Sequence, residues 1–166
     1  MRLAGIIAAL VIAADQVSKY IVVHRMRLDL RHEIEVFPPF LNFRMAWNRG
    51  VNFGLFADEG DMMRWILIAV ALGISLWVWL WARKMRGRVM VRVSAGLLVG
   101  GALGNVIDRL LYGAVADFLN MSCCGIDNPF AFNIADVAIF AGAIGLVFLA
   151  GGDDGNDRRK SRAKTP

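Results

Sequence analysis

Three aspartates punctuate the apolar runs of this chain, in Gly104-Asn105-Val106-Ile107-Asp108-Arg109, Val115-Ala116-Asp117-Phe118 and Phe132-Asn133-Ile134-Ala135-Asp136. A fourth, Asp15, stands one helical turn before Lys19 in the first apolar run. A carboxylate at the centre of a membrane-spanning helix costs about 2.5–3.5 kcal/mol on insertion scales, so acids in such places face a polar cavity, a partner or a substrate. Two carboxyls brought close in a low-dielectric site do not both ionise readily, and they share a proton. The charged member can then deprotonate a water while the neutral member donates to a carbonyl, which is hydrolysis without a covalent intermediate. Asp117 and Asp136 could form such a pair if the segment carrying Asp117 folds back onto the helix carrying Asp136. Asp15 and Asp108 compete for the same role, and structural ion pairs are common.

Other chemistries find little support. His24 and His32 are the only histidines, so there is no His-Glu-x-x-His helix and no dense metal shell, and no metal or cofactor is expected. A Ser-His-Asp triad lacks a nucleophile elbow. Ser18 and Lys19 are neighbours in sequence and point to different sides of a helix, which rules out a serine-lysine dyad from that pair. Cys123 and Cys124 are adjacent, which fits no usual zinc spacing and reads as a loop detail.

The elements that must position these groups are membrane helices. Of 166 residues 57% are hydrophobic and only 20% charged, which is far too apolar for an ordinary soluble domain of this size. A span of the hydrocarbon core needs about 20 mostly apolar residues, and four segments come near that, at about 3–23, 62–81, 89–107 and 130–150. The expected fold is an all-α polytopic membrane protein: one four-helix domain over 1–151, with outer loops 24–61 and 108–129 and a disordered basic tail over 152–166. The first segment, though led by Arg2 like a signal peptide, resumes its apolar character after Lys19 and reads as a retained helix. Arg83, Lys84, Arg86, Arg88 and Arg92 crowd the connection between the second and third spans, and Arg158, Arg159, Lys160, Arg162 and Lys164 lie in the tail. By the positive-inside rule these regions are cytoplasmic. Both termini are then inside, and the net charge of +5 reports topology and contact with anionic membrane lipids. No aromatic-basic interleaving points to nucleic acid.

Under that topology Asp15, Lys19, Asn105, Arg109 and Asp136 all fall toward the outer ends of their helices. The third span carries Gly96, Gly100 and Gly104, a small-xxx-small series that lets neighbouring backbones approach, and reads as helix packing. In loop 24–61, Leu41 to Asn48 alternates with period two, placing Leu41, Phe43, Met45 and Trp47 on one face of a strand, and Glu33 to Val36 alternates too. A small sheet on the outer membrane surface follows. After it, Asn48-Arg49-Gly50-Val51-Asn52-Phe53-Gly54 combines glycines with peptide-binding amides and reads as a turn or a binding element. Loop 108–129, with Asp117 among apolar residues, is expected to lie in the interface.

These segments together resemble the lipoprotein signal peptidase (signal peptidase II) family, bacterial membrane aspartic peptidases. The match runs in order through Asp15-Gln16-Val17-Ser18-Lys19, Asn48 to Gly54, Gly101 to Arg109, Val115 to Phe118 and Phe132 to Asp136. The resemblance implies removal of the signal peptide from diacylglyceryl-modified prolipoproteins, on the amino-terminal side of the lipidated cysteine, and inhibition by globomycin. It implies a catalytic pair of Asp117 and Asp136, with Asn48, Gly50, Asn105, Arg109 and Asn133 shaping the site around the peptide. Asp15, Lys19 and Asp108 are read as its structural support. It further implies a bacterial inner membrane location with the site near the periplasmic face. Two departures stand out, because the family often has Gly-Ala-Ala-Phe where this chain has Gly50-Val51-Asn52-Phe53, and Val-Val-Asp-Phe where it has Val115-Ala116-Asp117-Phe118. A small transporter would place ionisable groups in both halves of the bilayer, whereas these cluster toward one side. A non-catalytic assembly factor would explain the glycines and not the ordered acids.

Overall fold

The computed structural model describes residues 1–50, 60–85, 88–123 and 128–150. The expected disordered tail 152–166, the Val51 to Gly54 half of the amide-glycine segment, Arg86 and Cys124 lie outside the described residues. Among the described residues five α-helices and three strands follow in order: α1 Arg2–Lys19, continued by a π-helical turn Tyr20–Arg25, then α2 Leu28–Arg31, β1 Glu33–Phe37, β2 Leu41–Asn48, α3 Gly60–Lys84, α4 Val89–Tyr112, β3 Val115–Met121 and α5 Ile134–Ala150.

Three helical stretches among these residues, Arg2–Arg25, Asp61–Lys84 and Val89–Tyr112, are long and apolar enough to cross a membrane, with mean hydropathies of 1.8, 2.1 and 1.5. The apolar stretch Ile134–Phe148 is shorter. The sequence leads one to expect four such spans. The difference arises at the start of α5, where the helix begins at Ile134 rather than near Phe130. Large side chains such as Trp77 and Phe148 remain 68% and 78% exposed, an apolar surface suited to lipid.

Helix α4 is the hub, packed against α1, α3 and α5. Its adjacent glycines serve different neighbours. A Cβ on Gly100 would lie 2.8 Å from Ala8 Cα of α1, and one on Gly101 would collide with the Ala135 carbonyl of α5. Such contacts replace the hydrophobic driving force that is missing between helices in lipid. Gly96 likewise faces Ala4 and Ile7, but Gly104 does not serve helix packing alone: a Cβ there would stand 3.0 Å from an Asp15 carboxylate oxygen. A buried apolar cluster of Ala8, Val78, Ala82, Val91, Ala95, Leu98 and Val99 joins α1, α3 and α4.

The sheet is antiparallel in the order β1-β2-β3. Its third strand was not expected, since the segment carrying Asp117 reads as an interfacial loop. Val115 to Phe118 are buried in an unbroken run, so the alternation that marks a half-exposed strand is missing. Phe43 and Met45 of β2 pack on the cluster of Val22, Leu28 and Phe118. The register then shifts between Phe43 and Ala46, and Trp47, expected on the same face, is 43% exposed with its ring against Tyr112. An irregularity of this kind turns the following side chains, and it brings Ala46 opposite Asp117.

Candidate active site

The first turn of α5 supplies the centre of the site. Asn133 precedes the helix, and its side-chain oxygen accepts the N–H of Asp136 at 2.8 Å while an Asp136 carboxylate oxygen accepts the N–H of Asn133 at 3.2 Å. This is a reciprocal capping box, with Asn and Asp in place of the usual Ser/Thr and Glu. Because its oxygen is committed to the cap, the Asn133 NH2 points the other way. It donates to Asp117 Oδ1 at 2.6 Å and to Asn105 Oδ1 at 3.2 Å. One side chain thereby ties β3 to the start of α5 and links the two carboxylates.

Two more asparagines are oriented in the same manner. Asn105 of α4 accepts from Asn133 and, at 3.5 Å, from Lys19, so its NH2 donates to Asp136 Oδ1 at 2.8 Å. Asn48 at the end of β2 accepts the N–H of Gly50 at 3.0 Å, which turns its NH2 to Asp117 Oδ2 at 3.1 Å. Gly50 holds φ at 103°, a left-handed conformation that favours glycine, and a Cβ there would stand 2.7 Å from Leu67 Cδ1 of α3. The Arg109 guanidinium donates to the Asn105 carbonyl at 3.3 Å, and its charge acts on Asp117, Asp108 and Asp136. Thus Asp117, Asp136, Asn48, Gly50, Asn105, Arg109 and Asn133 are brought to one place.

Asp15, Lys19 and Asp108 form a buried cluster that adjoins it, linked through the Lys19 bond to Asn105. The Lys19 ammonium lies 2.7 Å from an oxygen of each acid, and both acids are fully buried. Gln16, which sequence reasoning left without a role, donates to Asp108 Oδ1 at 2.8 Å. Its signal was its place between Asp15 and Lys19 in a segment that matches the family. Ser18 donates back to the Asp15 carbonyl, as helix-interior serines do. His24 pairs with Tyr112, away from the carboxylates, and Cys123 is disulfide-bonded. Among the described residues no cluster of His, Cys, Asp and Glu is arranged to hold a metal ion.

Burial pushes the Asp117 carboxyl up to about 6, with the Asp136 charge as the second cause; the Asn48 and Asn133 hydrogen bonds and the Lys19 charge pull the other way. An acid whose folded value is raised contributes stability below its ordinary value and loses that contribution as pH rises through the folded one. The melting temperature should therefore fall between about pH 4 and pH 6 more steeply in the parent protein than in Asp117→Asn. At neutral pH the variant should melt higher by a few degrees, on a scale of about 2–4 °C per kcal/mol. Thermal unfolding in detergent across that range checks this, and parallel curves for the two proteins would contradict the assignment of the raised group.

The signal peptidase (SPase) II family model matches residues 7–150. The chain is 43% identical over 144 residues to the lipoprotein signal peptidase of Methylorubrum extorquens (strain PA1), covering 86% of this chain and 82% of that protein. It is 37% identical over 142 residues to that of Burkholderia thailandensis, covering 86% and 83%. Among solved structures it resembles a bacterial membrane enzyme determined by the in meso method at 1.9 Å, with a TM-score of 0.76 and 30% identity over 92% of this chain and 95% of that one.

Proposed function

The chain belongs to the signal peptidase II family, and on that premise we propose that it hydrolyses its substrate with Asp117 and Asp136 as an aspartic pair. Its reaction is the removal of signal peptides from prolipoproteins. The observation that carries the aspartic reading is the Asn133 side chain, bonded to Asp117 on one side and capping Asp136 on the other. Asp117, whose carboxyl is pushed up to about 6 by burial and by the Asp136 charge, serves as the acid; Asp136 serves as the base.

Asp136 takes a proton from water, whose oxygen bonds to the scissile carbonyl carbon while Asp117 gives its proton to the carbonyl oxygen. Collapse of the tetrahedral intermediate breaks the C–N bond as Asp136 passes the proton it took from water to the departing nitrogen and Asp117 takes a proton back from one of the two hydroxyls, which restores both acids. The signal peptide leaves with a new carboxylate and the cysteine with a new amino terminus. Asn48, Asn105 and Asn133 hold the two acids in place through the step, and Arg109 balances their charge.

The site gathers the C-terminal ends of α1 and α4 and the N-terminal end of α5, on the same end of the bundle as the sheet. With Arg83, Lys84, Arg88 and Arg92 at the opposite end, the chain sits in the inner membrane as four spans, α5 being the shortest, with both termini cytoplasmic. The site then lies near the periplasmic face, in reach of a substrate held in the bilayer by its signal helix and diacylglyceryl group. Globomycin, as a peptide ligand of this site, inhibits. A reporter fused after residue 166 should be active only on the cytoplasmic side, and periplasmic activity would overturn the orientation. Purified protein should cleave a diacylglyceryl-modified prolipoprotein immediately before the lipidated cysteine and leave the unlipidated precursor intact. Equal cleavage of both forms would remove the lipid from substrate recognition.

A further inference from the structure

The buried cluster holds two carboxylates against one ammonium. One acid would suffice to compensate Lys19, and burying a second has a cost of its own. What the second acid does is visible in its other bonds. Asp15 Oδ1 accepts the N–H of Ala135 at 3.0 Å, and Asp108 Oδ2 accepts the N–H of Ala116 at 3.1 Å. Ala135 immediately precedes Asp136, and Ala116 immediately precedes Asp117. Each buried acid therefore grips the backbone N–H of the residue that precedes one member of the proposed pair, and Lys19 joins the two grips. Ala116 and Ala135 are almost wholly buried, and their small side chains suit the close approach of backbone to carboxylate.

We propose that Asp15 and Asp108, clamped on Lys19, are positioning residues that set the spacing of Asp136 and Asp117 by holding the peptide units that lead into them. The proposal rests on the aspartic reading given above. Neither residue touches the scissile bond. Their action passes through the backbone, from Asp108 on α4 to β3 and from Asp15 on α1 to the start of α5. Gln16, bonded to Asp108 Oδ1 and Asp15 Oδ2, braces the same pair from the side.

The test separates geometry from charge and from folding. Asp108→Ala leaves Lys19 paired with Asp15, a neutral ion pair, so the bundle should still assemble. It releases the Ala116 N–H. Asp108→Asn removes the same charge but keeps an oxygen that can accept from Ala116. Turnover of the lipidated precursor by full-length purified protein is measured against pH and substrate, with the folded fraction taken from thermal melts.

For Asp108→Ala, kcat per folded molecule should fall about 10–100-fold, the scale of a misplacement near 1 Å, with KM little changed. Its alkaline limb should shift downward, because Asp117 loses part of its burial and of the Asp136 charge that raise it. The other charges around the pair, Asp15, Lys19 and Arg109, are the same in every variant of this residue. Asp108→Asn should keep most of kcat and the parental limb. Asp15→Ala should repeat the kcat loss through Asp136, and Asp15→Asn should restore much of it.

Equal shifts in Asp108→Ala and Asp108→Asn would make the effect one of charge and overturn positioning. Parental kcat per folded molecule in Asp108→Ala would reduce the acid to a fold support and overturn it too. Asp117→Asn and Asp136→Asn are run alongside: if either retains turnover, the aspartic reading fails, which is a different result from failure of the clamp.

Discussion

Asp117→Asn and Asp136→Asn are each expected to lower turnover of a lipidated precursor by at least about 10³-fold, the upper range for loss of a general acid or base. The change hardly alters side-chain volume, and both sites retain amide partners. The amide introduced by Asp117→Asn can still accept from Asn133, and the one introduced by Asp136→Asn keeps an oxygen for the Asn133 N–H, so both variants should stay folded. The double variant should be scarcely worse than either single one, because groups that share one proton act as a unit. Activity of the parent should be bell-shaped in pH, with limbs belonging to the pair rather than to one residue. Rates are to be measured on variants whose melting curves confirm folding. Cleavage within tenfold of the parent by either single variant would remove that aspartate from the chemistry.

The second large effect is expected at Asn133, which performs two jobs with two ends of one amide. Asn133→Ala removes the cap of α5, at a cost of about 0.5–2 kcal/mol, and removes the shorter of the two amide donors to Asp117, so both melting temperature and turnover should drop, the latter about 100-fold. Asn133→Ser keeps a capping oxygen but has no donor that reaches Asp117, and should restore stability without restoring the rate. Asn133→Asp also caps, yet sets a third carboxylate beside Asp117 and should be folded and inactive. Melting and kinetics measured on the same preparations separate the two jobs. A fully active Asn133→Ser would show that the bond to Asp117 carries no weight.

The acids were legible in the sequence because charge is costly in an apolar run, and the long spans because hydropathy is additive along a helix. Which acids form the proposed pair was not legible from spacing and chemistry alone, and it was the family resemblance that named Asp117 and Asp136. Four candidates stood at similar depth, and only the fold shows that Lys19 takes Asp15 and Asp108 while asparagines converge on Asp117 and Asp136. Strand β3 escaped notice because burial along Val115 to Phe118 erases the period-two pattern. Trp47 departed from the face expected for it because a register shift in β2 is set by pairing with β3, a partner about 70 residues away. The capping box was within reach: Asn133 and Asp136 at i, i+3 ahead of an apolar run is a helix-start signal, and it places the helix boundary four residues later than hydropathy alone suggests.

The bond from Asp15 to the Ala135 N–H joins residues 120 apart in the chain, and that separation orders events during synthesis. Helices α1, α3 and α4 leave the ribosome first, carrying Asp15, Lys19, Asn105 and Asp108 into the bilayer with nothing for Asp15 Oδ1 to hold. Asp136 and its cap arrive after them, on α5. A nascent chain therefore occupies the membrane for most of its synthesis as an incomplete hydrolase, and the carboxylate proposed to activate water is delivered only when the bundle that confines it is ready to close around it.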